Sequence, residues 1–120
     1  MNDGKLTIFI PSYNRAEKAL QTLLVLCNQL QNNVFIKVLD NHSHKDYKSY
    51  FLETNRSLLN IVEAGQLEFI RHEQNIGMSA NFMRTFELCK TEWLWVVSDD
   101  DEIHEYEPGL DEIEAYEKLE

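Results

Sequence analysis

The sequence predicts an α/β fold, a parallel sheet in a doubly wound layer. Three observations carry this. Short β-rich runs alternate with helical patterns in the order strand, helix, strand, helix, strand, helix, strand, which is the signature of a parallel sheet with crossover helices. The run WLWVV (Trp93 to Val97) is continuously apolar, as strands covered on both faces are. Each conspicuous polar cluster directly follows one of the strands, where open parallel sheets bind their ligands.

The first strand is KLTIFI (Lys5 to Ile10), stopped by Pro11. A helix follows with apolar residues at Ala16, Ala19, Leu20, Leu23, Leu24, Cys27 and Leu30, one stripe at helical period. Asn14 is its expected cap, with Glu17 completing a capping box. Asn32-Asn33 ends the helix, and VFIKVL (Val34 to Leu39) is a second strand closing on Asp40. Ser43 is expected to open a short helix reaching Glu53, and Thr54 to Gly65 reads as a loop with a helical turn. LEFIR (Leu67 to Arg71) is the third strand. Gly77 precedes a helix from about Ser79 to Cys89 with Phe82, Met83, Phe86 and Cys89 on one side. EWLWVVS (Glu92 to Ser98) is the fourth strand, expected to be central in the sheet. Pro108 starts a last helix carrying Leu110, Ile113 and Tyr116.

With 120 residues the chain has the length of one domain with one core. A formal charge of −10 argues against nucleic-acid binding, since phosphate attraction needs a basic surface. No apolar run is long enough to span a bilayer, and Met1 to Lys5 does not resemble the start of a signal peptide. Cys27 and Cys89 both lie in apolar helical patterns, which suits free thiols in a reduced cytoplasm.

Asp99-Asp100-Asp101 is the most informative cluster. Adjacent carboxylates at a strand end repel unless a cation neutralises them. Magnesium and manganese take oxygen ligands and bridge carboxylates to substrate phosphates. The plain alternative is an exposed acidic turn, and the position after WLWVVS favours the metal. An EF-hand fits poorly, with His104 at the loop position that needs glycine, and so does a dinucleotide-binding site, since no G-x-G-x-x-G follows the first strand. Asp40 suits either a ribose or base contact or an Asx-type turn with Asn41 and Ser43. Tyr13 can stack on a base and Arg15 can meet phosphate, although Pro11, Ser12 and Asn14 are also ordinary strand-to-helix punctuation. Asn75, Gly77 and Asn81 put amides and a flexible turn near the same end of the sheet. His42, His44 and His104 read as surface residues. No serine or cysteine has the context of an activated nucleophile. A phosphoacceptor receiver domain is disfavoured, because its acidic pair would stand where Pro11-Ser12 stands.

Taken in order, IPSYNR (Ile10 to Arg15), VLDNHS (Val38 to Ser43), NIGMSANF (Asn75 to Phe82) and WLWVVSDDDE (Trp93 to Glu102) resemble the inverting family 2 glycosyltransferases of the GT-A fold. The ordered set spans nearly the whole chain. LWVVSDDD is similar to members that transfer sugars onto bacterial surface polysaccharides. The resemblance implies a Rossmann-like GT-A nucleotide-binding half, residues 1–120 as one domain, with a mainly parallel four-stranded sheet of order 3-2-1-4 and helices on both faces. Pro11, Ser12 and Tyr13 would line the nucleoside pocket and Asp40 would bind the base. Asn75, Gly77 and Asn81, with Arg71, would shape the donor pocket. Asp99 and Asp101 would contact ribose, diphosphate and a divalent metal (Mn2+ or Mg2+), with Asp100 between them as a further donor contact.

The implied partners are a nucleotide diphosphate sugar and a saccharide or lipid-linked acceptor, at a cytoplasmic location reaching at most the inner face of the membrane. Asp40-Asn41 departs mildly from the family's Asp-Gly or Asp-Asp. Family members also continue far beyond the D-x-D motif, whereas here residues 102–120 are all that follow. The general base is therefore expected outside this chain. Leu119-Glu120 resembles a cloning remnant, and the chain reads as a truncated half or a short non-catalytic relative. Apolar surface exposed by truncation would favour a homodimer.

Overall fold

The computed structural model describes residues 5–99. β1 (Leu6–Ser12), β2 (Val34–Asp40), β3 (Leu67–Arg71) and β4 (Trp93–Val96) form one parallel sheet of order β3-β2-β1-β4. The expected order holds, and with it the topological switch point between β1 and β4. The last helix expected after Pro108 lies outside the described residues.

Leu6, Ile8 and Ile10 of β1 and Ile36 and Val38 of β2 point to one face and are buried. They pack with α1 (Ala16–Cys27), α2 (Tyr47–Thr54) and α3 (Leu58–Glu63) through Ala19, Leu20, Leu23, Phe51 and Leu58. Burying each large aliphatic side chain is worth about 1.5–3 kcal/mol, so this face supplies most of the hydrophobic driving force. Phe9 and Leu39, of opposite parity, are equally buried. α4 (Met78–Leu88) packs against β1 and β4. Farther out, the other parity carries the cross-strand Lys37–Glu68 ion pair at 3.4 Å.

The helix boundaries differ from the sequence expectation for identifiable reasons. Asn14 does not cap α1. It takes a left-handed conformation (φ 55°), and its side-chain oxygen accepts from the His44 backbone N–H at 2.8 Å, leaving Arg15 as the cap residue. Asparagine is one of the few residues that tolerate this region. Ser43 does not open α2 either. Its N–H donates to Asp40 Oδ1, and the helix starts four residues later, capped by Asp46, whose carboxylate accepts from Lys48 N. Thr54 to Gly65 holds more helix than expected, as α3.

Two findings concern the β4 side, the first of them a correction. β4 is an edge strand among the described residues, not a central one, and all four of its residues are only half-buried. α4 buries Asn81 and Thr85, while Phe82, Met83 and Phe86 are 40%, 56% and 45% exposed. The apolar residues that mark this helix in the sequence therefore face outward.

Cys27 lies half-buried against the α1 core, and burial pushes its thiol from 9.0 up to about 11. The folded state thus holds this proton more tightly than the unfolded chain. The associated stability is complete below about pH 9 and is lost as pH rises through about 11. Urea midpoints are expected to fall across that window, and the fall should be smaller in Cys27→Ala.

Candidate active site at the carboxyl edge of the sheet

Parallel register builds the site. Ser12 pairs with Asp40, and Asp40 pairs with Arg71. β1 and β4 pair Phe9 with Val96, and the Val97 N–H continues to the Phe9 carbonyl at 2.9 Å. Counting on in that register brings Asp99 opposite Ser12. Side chains alternate faces along a strand, so Asp99, Ser12, Asp40 and Arg71 share the core-facing parity. They form one polar row along the carboxyl edge, immediately above the apolar core.

The centre of the row is Asp40, 2% exposed. Its Oδ1 accepts from Ser43 N at 2.9 Å, and its Oδ2 accepts from Tyr47 N at 3.2 Å and from Arg71 Nη1 at 2.7 Å. A carboxylate offers roughly four lone-pair sites, so three are taken inside the protein. A second Arg71 nitrogen donates to the Ser43 carbonyl at 2.8 Å. The arginine side chain is 34% exposed, and these two bonds use two of its five N–H donors. Burying a charge in this way is tolerable because it is paired and hydrogen-bonded.

At the other end, the Ser12 hydroxyl donates to Asp99 Oδ2, and Asp99 is 9% exposed. The Tyr47 hydroxyl lies 2.6 Å from Ser12 Oγ and accepts from Arg15 N at 2.9 Å. The loops after β1 and β2 are laced together a second time, with Asn14 N donating to Ser43 Oγ at 2.8 Å. A groove of about 500 Å³ opens between these loops, lined by Arg15, Lys18, His44, Lys45 and Tyr47 among others. It concentrates positive charge within an acidic chain, and its walls do not include Ser12, Asp40 or Asp99.

Asn41 connects the row to α4. It is 2% exposed. Its amide nitrogen donates to Asn75 Oδ1 at 3.0 Å and to the Gly77 carbonyl at 3.2 Å, and its oxygen accepts from Ile76 N at 2.9 Å. Asn75 Oδ1 also accepts from Gly77 N at 2.7 Å. Gly77 has φ 90°, a conformation that favours glycine over any residue with a side chain, and a Cβ placed there would meet no atom within 4 Å. The glycine therefore serves the backbone turn that caps α4. Asn81 lies behind this turn, 3% exposed, with its amide near the Leu39 carbonyl and its oxygen 2.7 Å from His72 Nε2.

Of the residues singled out in the sequence, Ser12, Asp40, Arg71 and Asp99 stand in the row, and Arg15 joins it through the Tyr47 hydroxyl. Asn75 and Gly77 are joined to it through Asn41. Pro11 is half-buried within β1, and Tyr13 projects from the loop, 42% exposed. Asp100 and Asp101 lie outside the described residues. Asn41 and Ser43 were read in the sequence only as an Asx-type turn with Asp40, and Ser43 N–H does donate to Asp40 Oδ1, whereas Tyr47 and His72 went unrecognised as parts of this network. Asn41 and Ser43 were traceable as neighbours of a strand-ending aspartate, whereas nothing local marks Tyr47 or His72.

The glycosyl transferase family 2 model matches residues 7–119. The chain belongs to this family. Solved structures agree with the fold of this family 2 chain. A mannosyltransferase of Pyrobaculum calidifontis, in complex with GDP-Man and Mn2+, superposes with TM-score 0.63 at 16% identity over 98% of this chain and 32% of that one. TarS of S. aureus (residues 1–349) superposes with TM-score 0.58 at 20% identity over 81% of this chain and 28% of that one. The same TarS fragment with UDP gives 0.57 at 19% identity. The chain thus spans about a third or less of the length of these proteins. No curated protein sequence matches it.

Replacing Asn41 by alanine removes three hydrogen bonds and leaves the Ile76 N–H and the Gly77 carbonyl without this partner. At about 1 kcal/mol per net bond plus the cost of stranded polar groups, Asn41→Ala should lose about 3 kcal/mol in urea denaturation.

Proposed function

We propose that this chain is the donor-binding half of an inverting glycosyltransferase that moves a sugar from a nucleotide diphosphate sugar to an acceptor hydroxyl. The observation that carries this is the hydrogen bond from Ser12 to the buried Asp99 at the switch point between β1 and β4, where parallel sheets bind nucleotides. The GDP-Man and Mn2+ of the mannosyltransferase and the UDP bound to TarS support a nucleotide donor and a divalent metal.

In this reading Tyr13 and Pro11 line the nucleoside, and the Asp40–Arg71 pair forms the end of the pocket that meets the base. The fourth acceptor site of Asp40 and the exposed part of Arg71 are the groups with hydrogen-bonding capacity left. Ser12 and Arg15 face the ribose and diphosphate. Asn75, Gly77 and Asn81 shape the donor pocket, Asn81 from behind the wall. Asp99 and Asp101 would hold Mn2+ or Mg2+, with Asp100 between them as a further donor contact. Carboxylate oxygens are the donors such hard cations prefer, although among the described residues no group of three His, Cys, Asp or Glu gathers. When bound, the metal stabilises negative charge on the departing diphosphate. The acceptor oxygen attacks the anomeric carbon as its bond to the diphosphate oxygen breaks, with the acceptor proton passing to a general base. A saccharide or lipid-linked acceptor in bacterial surface polysaccharide synthesis, at the inner face of the membrane, suits this chemistry. Among the described residues no helix is long and apolar enough to cross a membrane.

Titration calorimetry with UDP, GDP, CDP and dTDP, each with and without Mn2+, tests the donor site. One nucleotide should bind with metal dependence, and Asp99→Ala should weaken it at least about tenfold, the worth of a charge-assisted contact. No metal-dependent binding of any of the four would overturn the proposal. A nucleotide-binding or assembly module of the same fold, without chemistry, is the second reading. Sugar transfer by this chain alone would exclude it.

Self-association belongs to the same proposal. Met78, Phe82, Met83 and Phe86 expose apolar surface on α4 beside the β4 edge, and contiguous patches of this kind mark contact sites. Sedimentation should show a concentration-dependent homodimer that Phe82→Ser weakens. A monomer throughout would remove the dimer from the reading.

A further inference from the structure

Tyr47 has a chemistry that its packing does not need. It is fully buried, and its ring stacks on Phe51 at 5.4 Å. A phenylalanine would fill that space equally well. A hydroxyl taken out of water is a cost unless both its donor and acceptor roles are met. Here both are met, and they can be met in one arrangement. The Arg15 backbone N–H can only donate, so it donates to the Tyr47 oxygen at 2.9 Å. The Asp99 carboxylate accepts from Ser12, which spends the single serine proton. The Tyr47 proton must therefore point to Ser12 Oγ, at 2.6 Å. The two hydroxyls form a polarised chain running from the start of α1 to Asp99.

We propose that Tyr47 is a positioning residue for the donor site, which fixes the Ser12 hydroxyl and through it the orientation of Asp99. The assignment rests on the donor-site reading of Asp99. Tyr47 is suited to this task because its backbone is anchored too: its N–H donates to Asp40 Oδ2. One residue thus ties the base end of the row to its metal end. Without the tyrosine hydroxyl, Ser12 is a free rotor that can turn its proton elsewhere. Asp99 then loses the bond that holds one oxygen inward and leaves the other available to a ligand.

The test uses the full chain, Mn2+ and whichever of UDP, GDP, CDP and dTDP binds most tightly. Tyr47→Phe keeps the ring and removes the hydroxyl. Nucleotide affinity in Mn2+ should fall roughly five- to tenfold, the worth of one buried hydrogen bond, while affinity in EDTA stays unchanged. A structural defect would lower both. Ser12→Ala should lose affinity in Mn2+ at least as strongly, together with whatever its own ribose and diphosphate contact contributes in EDTA, and in Mn2+ the double variant should be no weaker than Ser12→Ala, because Tyr47 reaches Asp99 only through that serine. Equal losses with and without metal in Tyr47→Phe, or additive losses in the double variant, overturn the assignment. A ligand-free readout separates it from the donor-site reading. In Tyr47→Phe the carboxyl carbon resonance of Asp99 should shift with no nucleotide or metal present. If the unaltered chain binds no nucleotide, the donor-site reading fails. The Asp99 resonance then decides the Tyr47–Ser12–Asp99 coupling on its own, and an unmoved resonance sinks it.

Discussion

The buried carboxylate of Asp40 is the constraint on which the upper edge of this domain depends. An ionised group at 2% exposure is costly unless its lone pairs are used. Using them dictates the path of the chain. Two go to backbone N–H groups of the following loop, at Ser43 and Tyr47, and one goes to Arg71 on the next strand. The loop after β2 is therefore held against the sheet, and α2 begins at Tyr47 instead of at Ser43. The same turn places Asn41 inward, where it holds the Asn75–Gly77 segment and so the start of α4. Three of the four strands and two of the helices take their relative position at this edge from one aspartate and its neighbour.

The apolar and polar parts of the site come from the same alternation. Along β1 and β2 the core-facing parity is apolar until the last position, where it becomes Ser12 and Asp40, and beyond the end of β4 the same parity reaches Asp99. Arg71 ends β3 in the same way. A parallel sheet in register converts four separate strand ends into one row of polar groups. The packed layer beneath, with Ile10, Val38 and Val97 buried, gives that row a rigid floor. Rigidity matters for any ligand site, since binding groups held by a packed scaffold lose little freedom on binding. Loops cover what the sheet does not: Asn14 and His42, each two residues beyond a member of the row, adopt positive φ and turn the chain off the sheet.

The β4 side is built differently. α4 anchors itself through buried Asn81 and Thr85, whose polar groups are satisfied by His72, Leu39 and Phe82. Its aromatic and methionine side chains point away from the sheet, with Phe82 and Phe86 in edge contact at 5.5 Å. A polar inner face and an apolar outer face reverse the usual amphipathic arrangement. The half-buried residues of β4 continue that apolar surface character at the sheet edge.

The four strands, the order of elements and the expectation of a ligand edge were legible from the chain alone. Strand runs and the α1 stripe are local patterns whose period reports directly on which face is buried. Asp40 and Asp99 were visible as carboxylates ending apolar strands, and the family resemblance was visible in four short motifs. The helix starts differ at Asn14 and Ser43 because both side chains are engaged about thirty residues away, Asn14 by His44 N–H and Ser43 Oγ by Asn14 N–H, while Asp40 holds the Ser43 and Tyr47 backbone and Asp46 takes the cap of α2. The outward direction of the apolar side of α4 was not legible, because periodicity identifies an apolar face without saying whether anything covers it. What the sequence determined was periodicity and the residue types available at each strand end. What only the tertiary structure decided was which of those residues meet. Tyr47, Ser12 and Asp99 are joined by hydrogen bonds across 35 and 87 residues of chain, and such pairings follow from sheet register and loop path, which no local pattern encodes.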